Sequence, residues 1–335
     1  MKTTKWGIVS TAGIARAEMI PAILRAENAE LAAIASRGMK VYETALEFDI
    51  EQAYESYEEL LDDPDIDVVY LPLPNHLHKE WVFKAARKGK HVLCEKPVSL
   101  TAEEAVEMVR ICQENNVKFM EAFMYQFHPQ HQRVREIIAS GEIGDVMLFK
   151  SSHSFFFSDR EGNIRMAKEM GGGSIYDVGC YSIHALRTIM QSEPVEVYAY
   201  AELDPETQVD LSAYSFLKLE NGTKAILDCS FDMVDRNEYE VIGTKGSIKV
   251  PFAFRPDNNG GIGLIMVQTD HFKREEKIYG DIYRMEVEHF SKAVLEDREP
   301  VYSGASSIQN MRVIDACYES IASGERVKVS VSPVE

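Results

Sequence analysis

No stretch of this 335-residue sequence approaches the ~18 uninterrupted apolar residues of a membrane-spanning helix. Its first ten residues lead directly into a strand pattern without the basic-then-apolar layout of a secretory signal, so a cytoplasmic location is expected, with no membrane partner. Cysteine is sparse. Cys94, Cys112, Cys180, Cys229 and Cys317 are odd in number, widely scattered, and form neither a CxxC pair nor a zinc spacing. That pattern argues against a disulfide-stapled scaffold and for reduced structural thiols. Positive charge is short as well: 36 Lys and Arg against 54 Asp and Glu leave a net charge of −18, which repels phosphate backbones and anionic membranes. Nucleic acid is therefore not an expected partner. Internal repeats and low-complexity tracts are absent. What remains is the composition of an ordinary globular protein, 45% hydrophobic and 27% charged, with a length that suggests about two domains.

From Lys5 onward, short apolar runs alternate with amphipathic segments, the rhythm of βαβ units on a parallel sheet. Strands are predicted at 6–10, 30–36, 68–73, 91–96 and 117–123. Helices are predicted at 14–26 despite Pro21, 41–49, 56–65, 78–89 and 101–116. Thr101 followed by Glu103 and Glu104 supplies an N-cap and an acidic first turn, and Gly89 suits a helix end with positive φ. Past residue 124 the rhythm changes. A helix near 131–140 gives way to long alternating segments separated by turns such as Asn221-Gly222 and Lys245-Gly246, and two helices, 282–297 and 305–323, follow. The predicted fold class is α/β: a Rossmann doubly wound parallel sheet over 1–123, and over 124–335 an α+β substrate and dimerisation domain with a large open, mainly antiparallel sheet. The last helices either cover that sheet or pack back on the first domain. Too few helices remain to cover both faces of the second sheet, so a homodimer through its open face is expected.

Where the first strand meets the first helix stands Gly7-Ile8-Val9-Ser10-Thr11-Ala12-Gly13-Ile14-Ala15. Small residues there let backbone amides at a helix N-terminus approach a pyrophosphate. The strict GxGxxG spacing is missing, and a tight strand-to-helix turn without a ligand would use similar residues. Ser10, Thr11, Ala12, Gly13 and Ile14 are the candidate cofactor contacts. At the end of the second strand the chain reads Ala35-Ser36-Arg37-Gly38. An NAD binder presents a carboxylate to the ribose 2′-hydroxyl near this point. A hydroxyl and a guanidinium suit a 2′-phosphate instead, so Ser36 and Arg37 predict NADP(H) over NAD(H).

Lys96 ends a predicted parallel strand, at the sheet edge where doubly wound folds bind ligands. Partly desolvated there, its ammonium can orient a hydroxyl or lower the pKa of a neighbouring phenol. Tyr181 lies one helical turn beyond Asp177, and His184 three residues further, so all three can share a face if a helix follows Gly171-Gly172-Gly173. Asp177 could equally cap that helix, and His184 could be a hydrogen-bonded core residue. Asn75, His76 and His78 have no Cys or carboxylate at ligand spacing, so no metal is expected. The run Phe155-Phe156-Phe157 reads as sheet core or, through Phe156, as the roof of a substrate; Arg165 is a further substrate candidate.

Taken with Leu71-Pro72-Leu73-Pro74-Asn75-His76-Leu77-His78, Glu95-Lys96-Pro97 and Gly171 to Tyr181, the turn from Gly7 to Ala15 makes the sequence resemble the Gfo/Idh/MocA oxidoreductases. Trp6, Ser10-Thr11-Ala12, Glu121 to Tyr125, Phe127-His128-Pro129 and Tyr rather than His at 181 resemble the branch of dimeric dihydrodiol dehydrogenase and NADP-dependent D-xylose dehydrogenase. Gln126 departs from the Arg expected there. The resemblance implies an NADP-dependent dehydrogenase or reductase acting on CH–OH groups of a sugar, polyol or trans-dihydrodiol. It places Leu71, Pro72, Asn75, His78, Glu95, Lys96 and Pro97 around the cofactor and Tyr125, His184, Phe156 and Arg165 around the substrate. It assigns proton transfer to Lys96 and Tyr181, with Asp177 beside them. Two alternatives stand beside this reading: a dinucleotide-binding sensor, and a glycoside-cleaving enzyme with tightly bound NAD.

Overall fold

The computed structural model describes residues 2–330. The chain divides into two compact units. One comprises the residues up to Met124 together with Tyr283–Ile308; the other comprises Tyr125–Ile282 and the chain from Gln309 on.

The first unit is built on a parallel sheet of β1 (Thr4–Val9), β2 (Ala29–Ala35), β3 (Gln52–Tyr54), β4 (Val68–Leu71), β5 (His91–Cys94) and β6 (Phe119–Glu121) in the order β3-β2-β1-β4-β5-β6. Val68, Val69, Tyr70 and Leu71 are all buried, as expected for a strand covered on both faces. The order reverses between β1 and β4, and a doubly wound sheet binds ligands outside the strand ends at that point. Capping sets the helix starts: the Ser56 hydroxyl accepts from the Glu59 N–H and the Thr101 hydroxyl from the Glu104 N–H, each at 3.2 Å. The predicted helix over 14–26 contains a π-helical turn, Ala15–Met19, before the α-helical segment Ile20–Arg25. Pro21 lies directly after the π-helical turn in an unbroken helical stretch, and the altered bonding of that turn falls where the proline has no N–H to donate. Gly7 is required by packing: a Cβ there would lie 2.8 Å from Leu60 Cδ2.

Helix Ile282–Leu295 docks on this sheet through Trp6. The Trp6 indole N–H is shared between Thr4 Oγ1 (2.9 Å) and Ser291 Oγ (3.0 Å), and its ring meets Phe290 edge-on at 6.0 Å.

The second unit carries a nine-stranded sheet: β7 (Val146–Phe156), β8 (Pro194–Leu203), β9 (Asp210–Leu219), β10 (Lys224–Ser230), β11 (Asp232–Gly243), β12 (Gly246–Val250), β13 (Ile262–Thr269), β14 (Lys273–Tyr279) and β15 (Val327–Lys328). Their order is β14-β13-β12-β11-β7-β10-β9-β8-β15, and every pairing is antiparallel except β7 with β10. Period-two alternation separates the two faces. One side buries residues such as Ala213, Leu217, Ala225 and Leu227. The other presents Tyr198, Phe216 and Ile226, which are cross-strand partners in a continuous row on β8, β9 and β10 and are all exposed.

Candidate functional site

In the first unit, the turn after β1 is fixed by its own polar groups. The Ser10 N–H donates to Ala35 O at 2.8 Å, and the Ser10 hydroxyl accepts from the Ala12 N–H at 3.1 Å. Ser10 holds φ at +125°, a conformation that favours glycine, so this departure from the glycine-rich pattern is carried as backbone strain. Thr11 and Ser36 hydroxyls meet at 3.2 Å, tying the turn to the end of β2. A Cβ on Gly13 would find no protein atom within 4 Å, so the protein's own packing does not require glycine there. That opening lies at the start of the helical stretch, where amide N–H groups and the helix dipole favour an anion. Ile14 stands in its first turn. Arg37 is exposed beside buried Ser36 and makes no ion pair among the described residues. The residues present fit a dinucleotide phosphate.

Further along the edge, Leu71 and Pro72 close β4 in buried positions, and Asn75 opens a short 3-10 turn. His78 is fully buried. Its Nε2 lies 2.8 Å from Leu73 O, and its Nδ1 lies 3.1 Å from Pro97 O and 3.2 Å from Val98 O. Burial holds its pKa down at about 4. His78 is thus packed between the loop after β4 and the loop after β5, and as a neutral imidazole it donates its single N–H to a carbonyl of one of them.

That second loop carries Glu95, half-buried Lys96 and Pro97, the Lys96–Pro97 bond being cis. Glu95 Oε1 accepts from the Tyr70 hydroxyl at 2.5 Å, and Oε2 accepts from the Lys96 backbone N–H at 3.2 Å. Buried Glu121 accepts the Val98 N–H at 2.9 Å. Carboxylates therefore tie down the backbone on both sides of Lys96.

In the second unit, helix Cys180–Met190 follows directly on a π-helical turn, Ile175–Gly179. The turn before it is anchored by buried Asp210, which accepts the Ile175 N–H at 2.7 Å, the Ser174 hydroxyl at 2.9 Å and the Tyr318 hydroxyl at 2.9 Å. Gly173 takes φ of +119° and sits where a Cβ would collide with Asp210 Oδ1, so glycine is obligatory. Asp177 does not cap the helix; its Oδ2 accepts from Arg165 Nε at 2.7 Å, and the Arg165 guanidinium lies 5.7 Å from the centroid of the Phe157 ring and 5.9 Å from that of Phe155. Phe156 is not brought to this group. Successive strand residues point to opposite sides, and it stands 68% exposed while Phe155 and Phe157 pack with Phe231.

Tyr181 is nearly buried within an aromatic box: its ring centroid lies 5.1 Å from His153, 5.6 Å from Phe254 and 5.7 Å from Tyr125. Tyr125 joins the next layer, its hydroxyl 2.6 Å from His184 Nδ1. Burial pushes the Tyr125 phenol up and the His184 imidazole well down, so both are neutral and the phenol donates to the imidazole. The structure brings Tyr125, Tyr181 and His184 together and pairs Asp177 with Arg165.

Residues 4–123 match the model of the oxidoreductase family with an NAD-binding Rossmann fold, and residues 131–249 match the GFO/IDH/MocA C-terminal domain. A D-xylose 1-dehydrogenase (NADP(+)) of Haloferax volcanii is 39% identical over 97% of this chain and 99% of its own length. This chain belongs to the Gfo/Idh/MocA oxidoreductase family. A trans-1,2-dihydrobenzene-1,2-diol dehydrogenase of Xenopus tropicalis is 32% identical over 74% of this chain and 75% of its own. Among solved structures, an aldose-aldose oxidoreductase from Caulobacter crescentus complexed with glycerol superposes with a TM-score of 0.91 at 26% identity, covering 98% of this chain and 100% of that one. A 3-ketoreductase from Actinomadura kijaniata in complex with NADP and TDP-benzene gives 0.89 at 27% identity, covering 95% and 98%. The Gfo/Idh/MocA protein described here is thus an oxidoreductase with an NAD(P)-binding Rossmann domain. No helix among its described residues is long and apolar enough to cross a membrane.

Proposed function

We propose that this family member is an NADP(H)-dependent dehydrogenase or reductase that interconverts an alcohol and a carbonyl on a sugar, polyol or trans-dihydrodiol. The observation that carries the cofactor choice is the end of β2, where Ser36, held by Thr11, and exposed Arg37 stand in place of a carboxylate. A carboxylate there would repel a 2′-phosphate; a guanidinium neutralises it. The two relatives whose names or complexes include NADP support the same reading. NADP(H), when bound, would supply the hydride acceptor or donor.

The turn Ser10–Ile14 would hold the pyrophosphate through main-chain amides, and Leu71, Pro72, Asn75, Glu95 and Pro97 would line the rest of the cofactor site. His78 contributes by fixing the two loops that carry those residues. Tyr181 takes the alcohol proton on its phenol oxygen as the carbonyl forms, and returns it in the reverse direction. A phenol with an ordinary pKa near 10 is a poor base at neutral pH, so the Lys96 ammonium stabilises the phenolate and orients the reacting hydroxyl. Arg165 and Asp177 present a fixed donor and acceptor to neighbouring hydroxyls, and Tyr125 and His184 hold the Tyr181 ring from behind. The exposed row Tyr198, Phe216 and Ile226 is the face through which two copies associate.

The test is turnover of aldoses, polyols and trans-diols with NADP+ or NADPH by the parent, Lys96→Met and Tyr181→Phe. Each variant is expected to lose about 100-fold or more in kcat while binding NADPH nearly as the parent does. A variant that keeps parental turnover removes that residue from the mechanism.

A further inference from the structure

The chemistry proposed above leaves unused a cavity of about 770 Å³ in the second unit, between the loop 160–170 and the connection of β8 to β9. That volume falls within the range of small-molecule sites, about 300–1,000 Å³, and a lone pentose or hexose would leave most of it empty. The loop that walls the cavity is the one that presents Arg165. Ile164 and Met166, on either side of Arg165, both line it, and Asn163, in the same wall, accepts the Arg165 N–H on its Oδ1 at 3.1 Å. This wall is fastened to the glycine run that leads into the Tyr181 helix. The Gly173 N–H donates to Arg165 O at 3.0 Å and the Gly172 N–H to Ala167 O at 2.9 Å, and a Cβ on Gly172 would lie 2.6 Å from Arg165 O. Across the cavity Asp204 fixes the connection, its Oδ1 accepting from the Thr207 N–H at 2.8 Å, the Thr207 hydroxyl at 3.0 Å and the Glu206 N–H at 3.0 Å. The cavity is therefore a neighbour of the Arg165–Asp177 pair with walls that hydrogen bonds hold in place.

We propose that this cavity is a second sugar subsite, which takes the distal unit of a neutral disaccharide or glycoside whose reacting unit lies against Arg165 and Asp177. The lining fits that class. Ile164, 47% exposed, and Met170 offer apolar surface for the C–H face of a ring, while Asn163 and the carboxylates of Glu161, Glu169, Asp204 and Glu206 accept from its hydroxyls. The same carboxylates oppose a nucleotide-linked sugar. Against the four of them the lining sets two cations, Lys168 and Arg160, and the Arg160 guanidinium is already engaged by Asp232 and by Phe157 O at 2.8 Å. A diphosphate draws its affinity from uncommitted cations, and here it would meet net negative charge. The inference rests on the reading above that a sugar reacts beside Arg165 and Asp177, and it narrows that sugar to one carrying a second, uncharged unit.

The test measures NADP-linked turnover of xylose, glucose, xylobiose, cellobiose, maltose and dTDP-glucose by the parent, Ile164→Ser and Glu206→Ala, with disaccharide binding followed in parallel by saturation-transfer NMR. Both substitutions fall at exposed positions, so folding is expected to be unchanged. At least one disaccharide is expected to show a KM about tenfold below that of its own monosaccharide, independent of salt as befits an uncharged ligand. Each variant is expected to raise that KM about fivefold while monosaccharide kcat/KM and NADPH Kd stay within about twofold of the parent. A KM no lower for any disaccharide than for its monosaccharide, a disaccharide KM that neither substitution moves, or a preference for dTDP-glucose overturns the proposal. Turnover of no sugar with either nicotinamide cofactor overturns the reaction proposed above, and the NMR then decides the cavity by itself. Disaccharide binding weakened in both variants sustains the subsite; binding absent, or the same in all three proteins, overturns it.

Discussion

Arg165 Nε donates to Asp177 Oδ2 across 2.7 Å, joining a loop residue to the π-helical turn that leads into the Tyr181 helix. The pair is partly open to solvent, Arg165 at 39%, so its Coulomb energy is screened and its main effect is orientation. Substrate steady-state kinetics should show Arg165→Ala and Asp177→Asn each lowering kcat/KM about tenfold, or ~1.4 kcal/mol, chiefly through KM, with NADPH affinity unchanged. Unaltered substrate KM in both variants would remove the pair from substrate binding.

Histidine burial sets an acid limit on stability. His78 is held at about 4 and His131 at about 3, both mainly by desolvation, and His184 is held well below its ordinary value. Each is neutral when folded and takes up a proton at its ordinary pKa of about 6.5 when unfolded. The folded pKa is depressed, so the stabilisation is full above about pH 6.5 and is lost as pH falls toward the folded values, at up to about 1.4 kcal/mol per pH unit per histidine. Urea melts between pH 6.5 and 4 should show this slope, which a single His131→Gln substitution should reduce. A stability flat across that window would contradict the neutral assignment.

Across the open face, Tyr198, Phe216 and Ile226 form a row on three adjacent strands. Sedimentation velocity is expected to find a dimer in the parent and monomers in Tyr198→Lys/Phe216→Lys, with little change in thermal midpoint at low concentration. A double variant that sediments as the parent does would place the association surface elsewhere.

Much of this fold was legible in the sequence because periodicity reports burial on one face or two. Five of the six strands of the first unit, its helices, and the eight longer strands of the second follow from that signal. Gln52–Tyr54, three residues long, and Val327–Lys328, two residues long, are too short to show any period. The π-helical turns Ala15–Met19 and Ile175–Gly179 are invisible to a 3.6-residue pattern that continues through them. At the site, proximity in sequence found Asp177, Tyr181 and His184 on one segment. Arg165 was found as an isolated candidate; its partnership with Asp177 depends on how a loop folds back. In the run of three phenylalanines, Phe155 and Phe157 rather than Phe156 stand beside Arg165, a choice that the alternation of the strand makes and composition does not.

The account's central claim is that the end of β2 selects NADP(H), and a fluorescence titration of the protein with NADPH and NADH, repeated on Arg37→Asp, tests it most directly. Binding of NADPH at least about tenfold tighter than NADH, with the preference abolished by the substitution, is the predicted result. Equal affinity for the two in the parent, or a preference that survives Arg37→Asp, would contradict it.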